Sequence, residues 1–343
     1  MRRSSLLLLI VLAGMLATAP HHAQAAPISP GISITIRPLE LVPAQAGFVF
    51  VGGAYPLDVT VSLDAQPLNV YWAGGGYLTP FAFPYEEPPG QHQLIVLVSN
   101  PATGERLERI ETIRVREYTY PDEYVALAFR LTPLLDPQLN QQEVDRLATI
   151  YAPHTQPIRW TWPFTIPAPG SVVTSRFGGN RSYNGGVWKS YHSGTDFRAG
   201  LDDLVLAAAS GRVAASEFFD VRGNVVIIDH GYGIFSQYAH MSQINVAPGQ
   251  FVQRGQVIGL AGATGRTNGP HLHFEIIVNG IPVDPIRWLA LNPSFVPPRE
   301  VRPEERDLTP VPGEENTAPP PEGEAPQPPV ETPPPESSAV GED

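Results

Sequence analysis

Two tracts carry the residue types that a divalent metal prefers. His192-Ser193-Gly194-Thr195-Asp196 has the spacing H-x-x-x-D, and roughly 75 residues further on His271-Leu272-His273 has the spacing H-x-H. Together they offer three imidazoles and one carboxylate in a chain that contains no cysteine. Zinc accepts such a set, with nitrogen and oxygen donors at about 2.0 to 2.2 Å, three of them from protein and the fourth position left to water. A centre with a single carboxylate stays cationic. It can polarise a carbonyl and draw the pKa of a water toward about 7, which are the two requirements of amide hydrolysis at neutral pH. No H-E-x-x-H tract is present to supply a glutamate base, so a histidine is the expected proton acceptor.

These donors need elements that hold them. In an extended strand, residues two apart share a face with side chains about 6.6 Å apart. His271 and His273 therefore leave one side of a strand whose other side carries Leu272, Phe274 and Ile276. Spacing does not say which of the two is a ligand. Gly194 within the first tract points to a loop entering a strand rather than to a helical i, i+4 pair. Of the nine histidines, His21 and His22 fall in the leader, while His92 and His154 stand apart from any acid cluster. The other five lie in the C-terminal half.

The surrounding chain divides by composition. Residues 1–25 have the form of a secretory signal: Arg2 and Arg3, an apolar run from Leu6 to Leu16, and a small-x-small cleavage site at Ala23-Gln24-Ala25. The run is shorter than a membrane span of about 20 residues, so cleavage and a secreted, periplasmic or cell-wall location are expected, with no membrane association afterwards. With no cysteine to acylate, a lipoprotein is not expected. Residues 26–120 show strand alternation, as in Leu57-Asp58-Val59-Thr60-Val61-Ser62-Leu63, at 93–98 and at 110–115, which predicts a β-sandwich-like domain. Residues 121–164 contain a predicted helix from Gln141 to Tyr151, capped by Asn140 and presenting Val144, Leu147, Ile150 and Tyr151 on one face, as a connector.

From 165 to 296 the pattern is β again, with strands predicted at 204–208, 225–228 and 271–277 and a turn near Gly200. Here a G-Q-x-[VI] unit repeats, and Gly249 and Gly255 supply turns that send Val252 and Ile258 into a barrel-like core. Carrier domains share that pattern but need an acceptor lysine; the chain's sole lysine, Lys189, is outside the repeat. The segment 297–343 holds 14 of the 39 prolines and twelve acids against three arginines, so much of the net charge of −12 belongs to an expected disordered tail, and the acidic balance says little about the site. Nothing in the charge pattern points to nucleic acid.

The series Ser175-Arg176-Phe177-Gly178, His192 through Asp196, Asp229-His230-Gly231-Tyr232-Gly233, Tyr238-Ala239-His240-Met241, Gly262-Ala263-Thr264-Gly265 and Gly269-Pro270-His271-Leu272-His273-Phe274-Glu275 resembles the M23 (lysostaphin/LytM-type) zinc metalloendopeptidases, in order and spacing. The resemblance covers about 130 residues. It implies a mainly β protein in which a β-rich barrel-sandwich peptidase domain, of duplicated hybrid motif type, follows the N-terminal sandwich. It implies that His192, Asp196 and His273 bind Zn2+, that His240 and His271 are catalytic, and that His230 is structural. The substrate it implies is the peptide part of peptidoglycan, stem or cross-bridge. Thr267-Asn268 stands where the family commonly has Ser-Thr, and Tyr183-Asn184-Gly185 is either a turn or a groove wall. The alternative function is a non-catalytic binding or activator protein of cell-wall hydrolases; such relatives usually lack ligands that are all present here.

Overall fold

The computed structural model describes residues 31–53, 56–186 and 190–291; the expected leader and the proline-rich tail lie outside the described residues. The protein is mainly β. No helix among the described residues is long and apolar enough to cross a membrane.

The alternating N-terminal runs form two sheets. One has the strands Ser33–Arg37, Ala46–Gly52, Gly76–Ala82 and Tyr71–Trp72, and the other Glu40–Leu41, Arg106–Val115, Gly90–Ser99, Asp58–Leu63 and Gln66–Leu68. Val49, Val51 and Phe81 from the first meet Val61, Leu94, Val96 and Ile113 from the second in a common core, as a sandwich requires. The first sheet is apolar on its other face too. Phe48 packs against Trp162 and Trp288, and Tyr71 stacks on Tyr232 with ring centres 4.3 Å apart, which joins the sandwich to the C-terminal part.

The C-terminal part is a ten-stranded sheet that runs Val173–Ser175, Thr195–Arg198, His271–Val278, Ile234–Ile244, Gly223–Gly231, Gly211–Phe219 and Phe251–Val252, with three further short strands as branches. Val257–Ala261 pairs with both Ile234–Ile244 and Leu204–Leu206, which folds the sheet over its own apolar face. Val205, Val252, Ile258, Leu272 and Phe274 are fully buried inside that fold. Burying such side chains is worth about 1.5 to 3 kcal/mol each.

The linking stretch is more than a helix. Asp122–Val125 is a strand that pairs in parallel with Asn180–Tyr183, and Phe129–Leu135 is a 3-10 turn. The helix runs Pro137–Tyr151, four residues earlier than expected. Its cap is Asp136, whose side chain accepts from the Gln138 N–H while Pro137 takes the first position, so Asn140 is inside the helix. The buried face is also rotated. Val144 is exposed and Glu143 is buried with Leu147, Ile150 and Tyr151, because Glu143 pairs with Arg222 of the turn between two strands of the sheet. The helix covers the outer face of the sheet at Phe219, Ile227, Phe235 and Ile277. A second short helix, Pro285–Ala290, brings Trp288 into the core between the two parts.

His230 is a structural residue of this fold. It is fully buried, facing the Ser210 carbonyl at 2.9 Å through Nδ1 and the Ser236 hydroxyl at 2.8 Å through Nε2, the pattern of a neutral ring. Burial lowers its pKa to about 4. Between pH 6.5 and 4 the unfolded chain therefore takes up a proton here that the folded chain refuses, and stability falls through that window, by about 3 kcal/mol in total, before levelling off. Urea unfolding at pH 7 and pH 4.5 should show His230→Asn less stable than the native chain at pH 7 but losing less on acidification; equal losses would contradict the assignment.

Candidate metal and catalytic centre

Strand register assembles the centre. Thr195–Arg198 pairs antiparallel with His271–Val278, placing Asp196 opposite His273 and Arg198 opposite His271. On the far side of the same strand, Ala239 lies opposite His273, which brings His240 alongside. His192 enters from the loop ahead of Thr195, the loop setting that Gly194 implies.

Three donor atoms meet. His192 Nε2 is 3.0 Å from Asp196 Oδ1 and 3.0 Å from His273 Nδ1, and His273 Nδ1 is 2.8 Å from Asp196 Oδ1. Proton bookkeeping explains what this triangle is for. His192 Nδ1 faces the Arg176 carbonyl at 2.8 Å and must donate to it, so Nε2 of the neutral ring carries a lone pair. His273 Nε2 donates to Glu275 Oε1 at 2.9 Å, so Nδ1 of its neutral ring carries one as well. Asp196 is ionised: burial opposes its charge, but the two imidazoles outweigh burial and hold its carboxyl well below the usual range. Two lone pairs and a carboxylate oxygen within about 3 Å repel unless a cation joins them. The field agrees. Burial works against charge on His273, yet its bonds to Asp196 and Glu275 raise its pKa above the usual imidazole value. The donor set fits a tetrahedral metal with one position left over, and among the described residues this trio is the one group of its kind.

His271 and His240 flank the trio without entering it. His271 Nε2 stays 3.7 Å from Asp196 Oδ1, so between the two members of H-x-H it is His273 that joins the donors. His271 Nδ1 lies 3.0 Å from the Gly269 carbonyl and 3.1 Å from the Thr267 hydroxyl. His240 sits at a bulge, where the ladder with Gly223–Gly231 shifts register, and it has a φ of 61°, a conformation that non-glycine residues seldom adopt. That geometry turns its ring toward His271, at 4.8 Å between ring centres, and toward His273, at 5.9 Å. Its Nδ1 donates to the Thr264 carbonyl at 2.8 Å, leaving Nε2 as acceptor. Burial, then the neighbouring imidazoles, push its pKa well below the usual value, so it is neutral at physiological pH.

One member of the site, Arg181, belongs to no tract that marks it in the sequence. Arg181 reaches Asp196 Oδ2 at 3.2 Å and Glu123 at 2.8 Å. Glu275 follows the H-x-H strand alternation and lies on the same face as His273, a placement visible from the sequence once that strand is assigned. Tyr183 lines a cavity of about 520 Å³ beside His192, His240 and His273, while Asn184 forms the turn. The turn reading of that tract is borne out at Asn184 and Gly185. Asn268 ties the loop before His271 to the linking stretch, its amide donating to the Ala126 carbonyl at 2.7 Å and accepting from the Ala128 N–H at 3.1 Å.

Residues 190–285 match the family model described as peptidase family M23. The chain carries an M23 peptidase domain. The domain is 43% identical over 110 residues to peptidoglycan DD-endopeptidase ShyA of Vibrio cholerae, covering 32% of this chain and 26% of that protein. It is 39% identical over 109 residues to the DD-carboxypeptidase/endopeptidase Mpg of Neisseria meningitidis, covering 32% of this chain and 25% of that one. The chain thus spans about a quarter of the length of these relatives. A solved structure from Pseudomonas aeruginosa assigned to peptidase M23 superposes with a TM-score of 0.51 at 25% identity, over 72% of this chain and 94% of that one. That superposition extends beyond the M23 domain into the preceding elements.

Gly194 is the backbone constraint on the M23 domain's donor triangle. A Cβ there would stand 2.5 Å from the Phe274 carbonyl and 2.8 Å from His273 Nε2, so any side chain drives the His273 ring off Glu275. Gly194→Ala should fold and lose at least about 10-fold in Zn2+ affinity, the scale on which partners of metal ligands act. Calorimetric titration of the metal-free protein checks this, and native affinity in the variant would contradict it.

Proposed function

We propose that the protein is an exported zinc metalloendopeptidase that hydrolyses peptide bonds of peptidoglycan. The observation that carries this reading is the triangle of donor atoms His192 Nε2, Asp196 Oδ1 and His273 Nδ1 with two further imidazoles beside it. The name of the Vibrio cholerae relative, a peptidoglycan DD-endopeptidase, supports the substrate class.

In this reading His192, Asp196 and His273 hold Zn2+. Bound there, the ion supplies Lewis acidity for the scissile carbonyl and lowers the pKa of a water. The remaining chemistry belongs to the protein. His240, its tautomer set by the Thr264 carbonyl, accepts the attacking water's proton at Nε2 and passes it to the leaving amine nitrogen. His271 Nδ1 donates to the Gly269 carbonyl, which aims Nε2 at the centre, where in its imidazolium form it hydrogen-bonds the developing oxyanion. Arg181 and Glu275 keep the ligands in place. The cavity beside them, lined by Tyr183, Tyr191 and Arg266 among others, receives the peptide.

Metal content and hydrolysis measured together test the assignment. The chain from Ala26 onward should carry about one zinc and release peptides from peptidoglycan. His192→Ala should lose both metal and turnover. His240→Ala should keep the metal and lose about 10²-fold or more in turnover, the usual contribution of a general base. A native protein without zinc, or one that holds zinc and cuts no wall preparation, would overturn the enzyme reading.

A further inference from the structure

Two acids of the linking stretch reach the metal ligands, each through an arginine. Glu123, on the strand Asp122–Val125, accepts from Arg181 Nε at 2.8 Å and from the Ser175 hydroxyl at 2.8 Å. Arg181 Nη2 continues to Asp196 Oδ2 at 3.2 Å and to Ser175 Oγ at 3.1 Å, and Ser175 Oγ lies 3.1 Å from His192 Nδ1. Two of the three donors are thus braced from Glu123. The third is braced from the helix Pro137–Tyr151. Glu143 accepts from the Val221 N–H and from Arg222 Nη1 at 3.0 Å. Arg222 Nε then faces Glu275 Oε1 at 3.8 Å, the carboxylate that receives the His273 ring N–H at 2.9 Å. The Arg222 carbonyl also accepts the His240 N–H at 2.9 Å.

Glu123, Glu143, Ser175 and Arg181 all lie outside the segment 190–285 that matches the family. Both arginines are largely buried, and each stands within two contacts of a site built for a cation. Without its acid, each would place an uncompensated positive charge beside that cation and would be free to draw the neighbouring carboxylate away from it. The same stretch is pinned to the turn at Asn184, whose Oδ1 accepts the Leu127 N–H at 2.7 Å, and to the loop before His271, where Arg266 donates to the Leu134 carbonyl at 3.1 Å and Asn268 clasps Ala126 and Ala128.

We infer that residues 122–151 are a working part of the metal site: Glu123 and Glu143 are positioning residues for the metal ligands, so that docking of this stretch and metal binding strengthen one another. The inference rests on the zinc reading above and adds to it. Coupling of this kind is reciprocal, since whatever factor docking adds to metal affinity, the metal returns to docking. Anything that lifts the stretch, by competing for the Asp122–Val125 strand or for the helix face, would then weaken metal binding without touching a ligand.

The experiment uses the full chain. Zn2+ affinity is measured by competition with a chromophoric chelator for the native protein, Glu123→Gln and Glu143→Gln, and amide hydrogen exchange of residues 122–151 is followed with and without Zn2+. Glutamine keeps the volume and one acceptor oxygen, so a packing role alone predicts native affinity. The coupling predicts a loss of about 10-fold or more in each variant, and slower exchange of the Asp122–Val125 amides when zinc is added to the native protein. Zinc-independent exchange in the native protein overturns the inference even if a variant fails to fold, and so does native zinc affinity in both variants. A native protein that binds no zinc overturns instead the functional reading beneath it.

Discussion

The structure is organised around one electrostatic problem: two imidazole lone pairs and a carboxylate oxygen held within about 3 Å of one another, away from water. Such an arrangement is unfavourable on its own and favourable around a cation. Everything near it serves to keep the donors from turning away. Carbonyl and carboxylate partners on the far nitrogens of His192 and His273 fix both tautomers, and Arg181 holds the second oxygen of Asp196. The sheet supplies the rigidity. Because Asp196 and His273 are directly opposed in an antiparallel ladder, a one-residue slip in register would send one of them into the apolar core on the other face. That core, filled by Leu272, Phe274 and Ile276 from the same strand, is therefore what sets the metal geometry.

The two imidazoles outside the triangle are placed by different means. His271 rides on the same strand as His273 and is separated from the donors by one strand repeat. His240 depends on a local exception to strand geometry, a bulge with positive φ that only surrounding hydrogen bonds can hold. Its N–H is tied to the Arg222 carbonyl and its ring to the Thr264 carbonyl. The same strained backbone that carries the ring sets it against the cavity. The polar side of the His271–Val278 strand is not solvent-facing as alternation alone implies. The helix Pro137–Tyr151 closes over it, so that His273 and Glu275 are buried and their charges act at low dielectric.

Much of this was visible before any coordinates, and the reasons are specific. Alternation located strands at 57–63, 93–98, 110–115 and 271–277, which in the fold run 58–63, 90–99, 106–115 and 271–278, because in each the buried side must face an apolar core. Gly249 and Gly255 marked turns that do adopt positive φ, sending Val252 and Ile258 inward. The helix start was missed since Pro137 with Asp136 is a stronger terminus than Asn140, and its buried face was misjudged since Glu143 is drawn inside by Arg222 rather than by its own hydropathy. What local sequence could not hold is long-range pairing: Glu123 with Arg181 is 58 residues apart and Glu143 with Arg222 is 79. Neither pair leaves a periodic signal, and both couple the linking stretch to the site. Strand alternation likewise could not choose between His271 and His273, because the two side chains leave one face of one strand; the family resemblance made that choice.

The central claim is that the triangle is a metal site with three protein donors. An anomalous-difference map from a crystal of the zinc-loaded protein, collected on both sides of the zinc absorption edge, tests it most directly. The account predicts a single strong peak at about 2.0 to 2.2 Å from His192 Nε2, Asp196 Oδ1 and His273 Nδ1, with His240 and His271 outside the coordination shell. A peak coordinated by His240 or His271 in place of one of these donors, or no peak at the triangle in zinc-loaded protein, would contradict it.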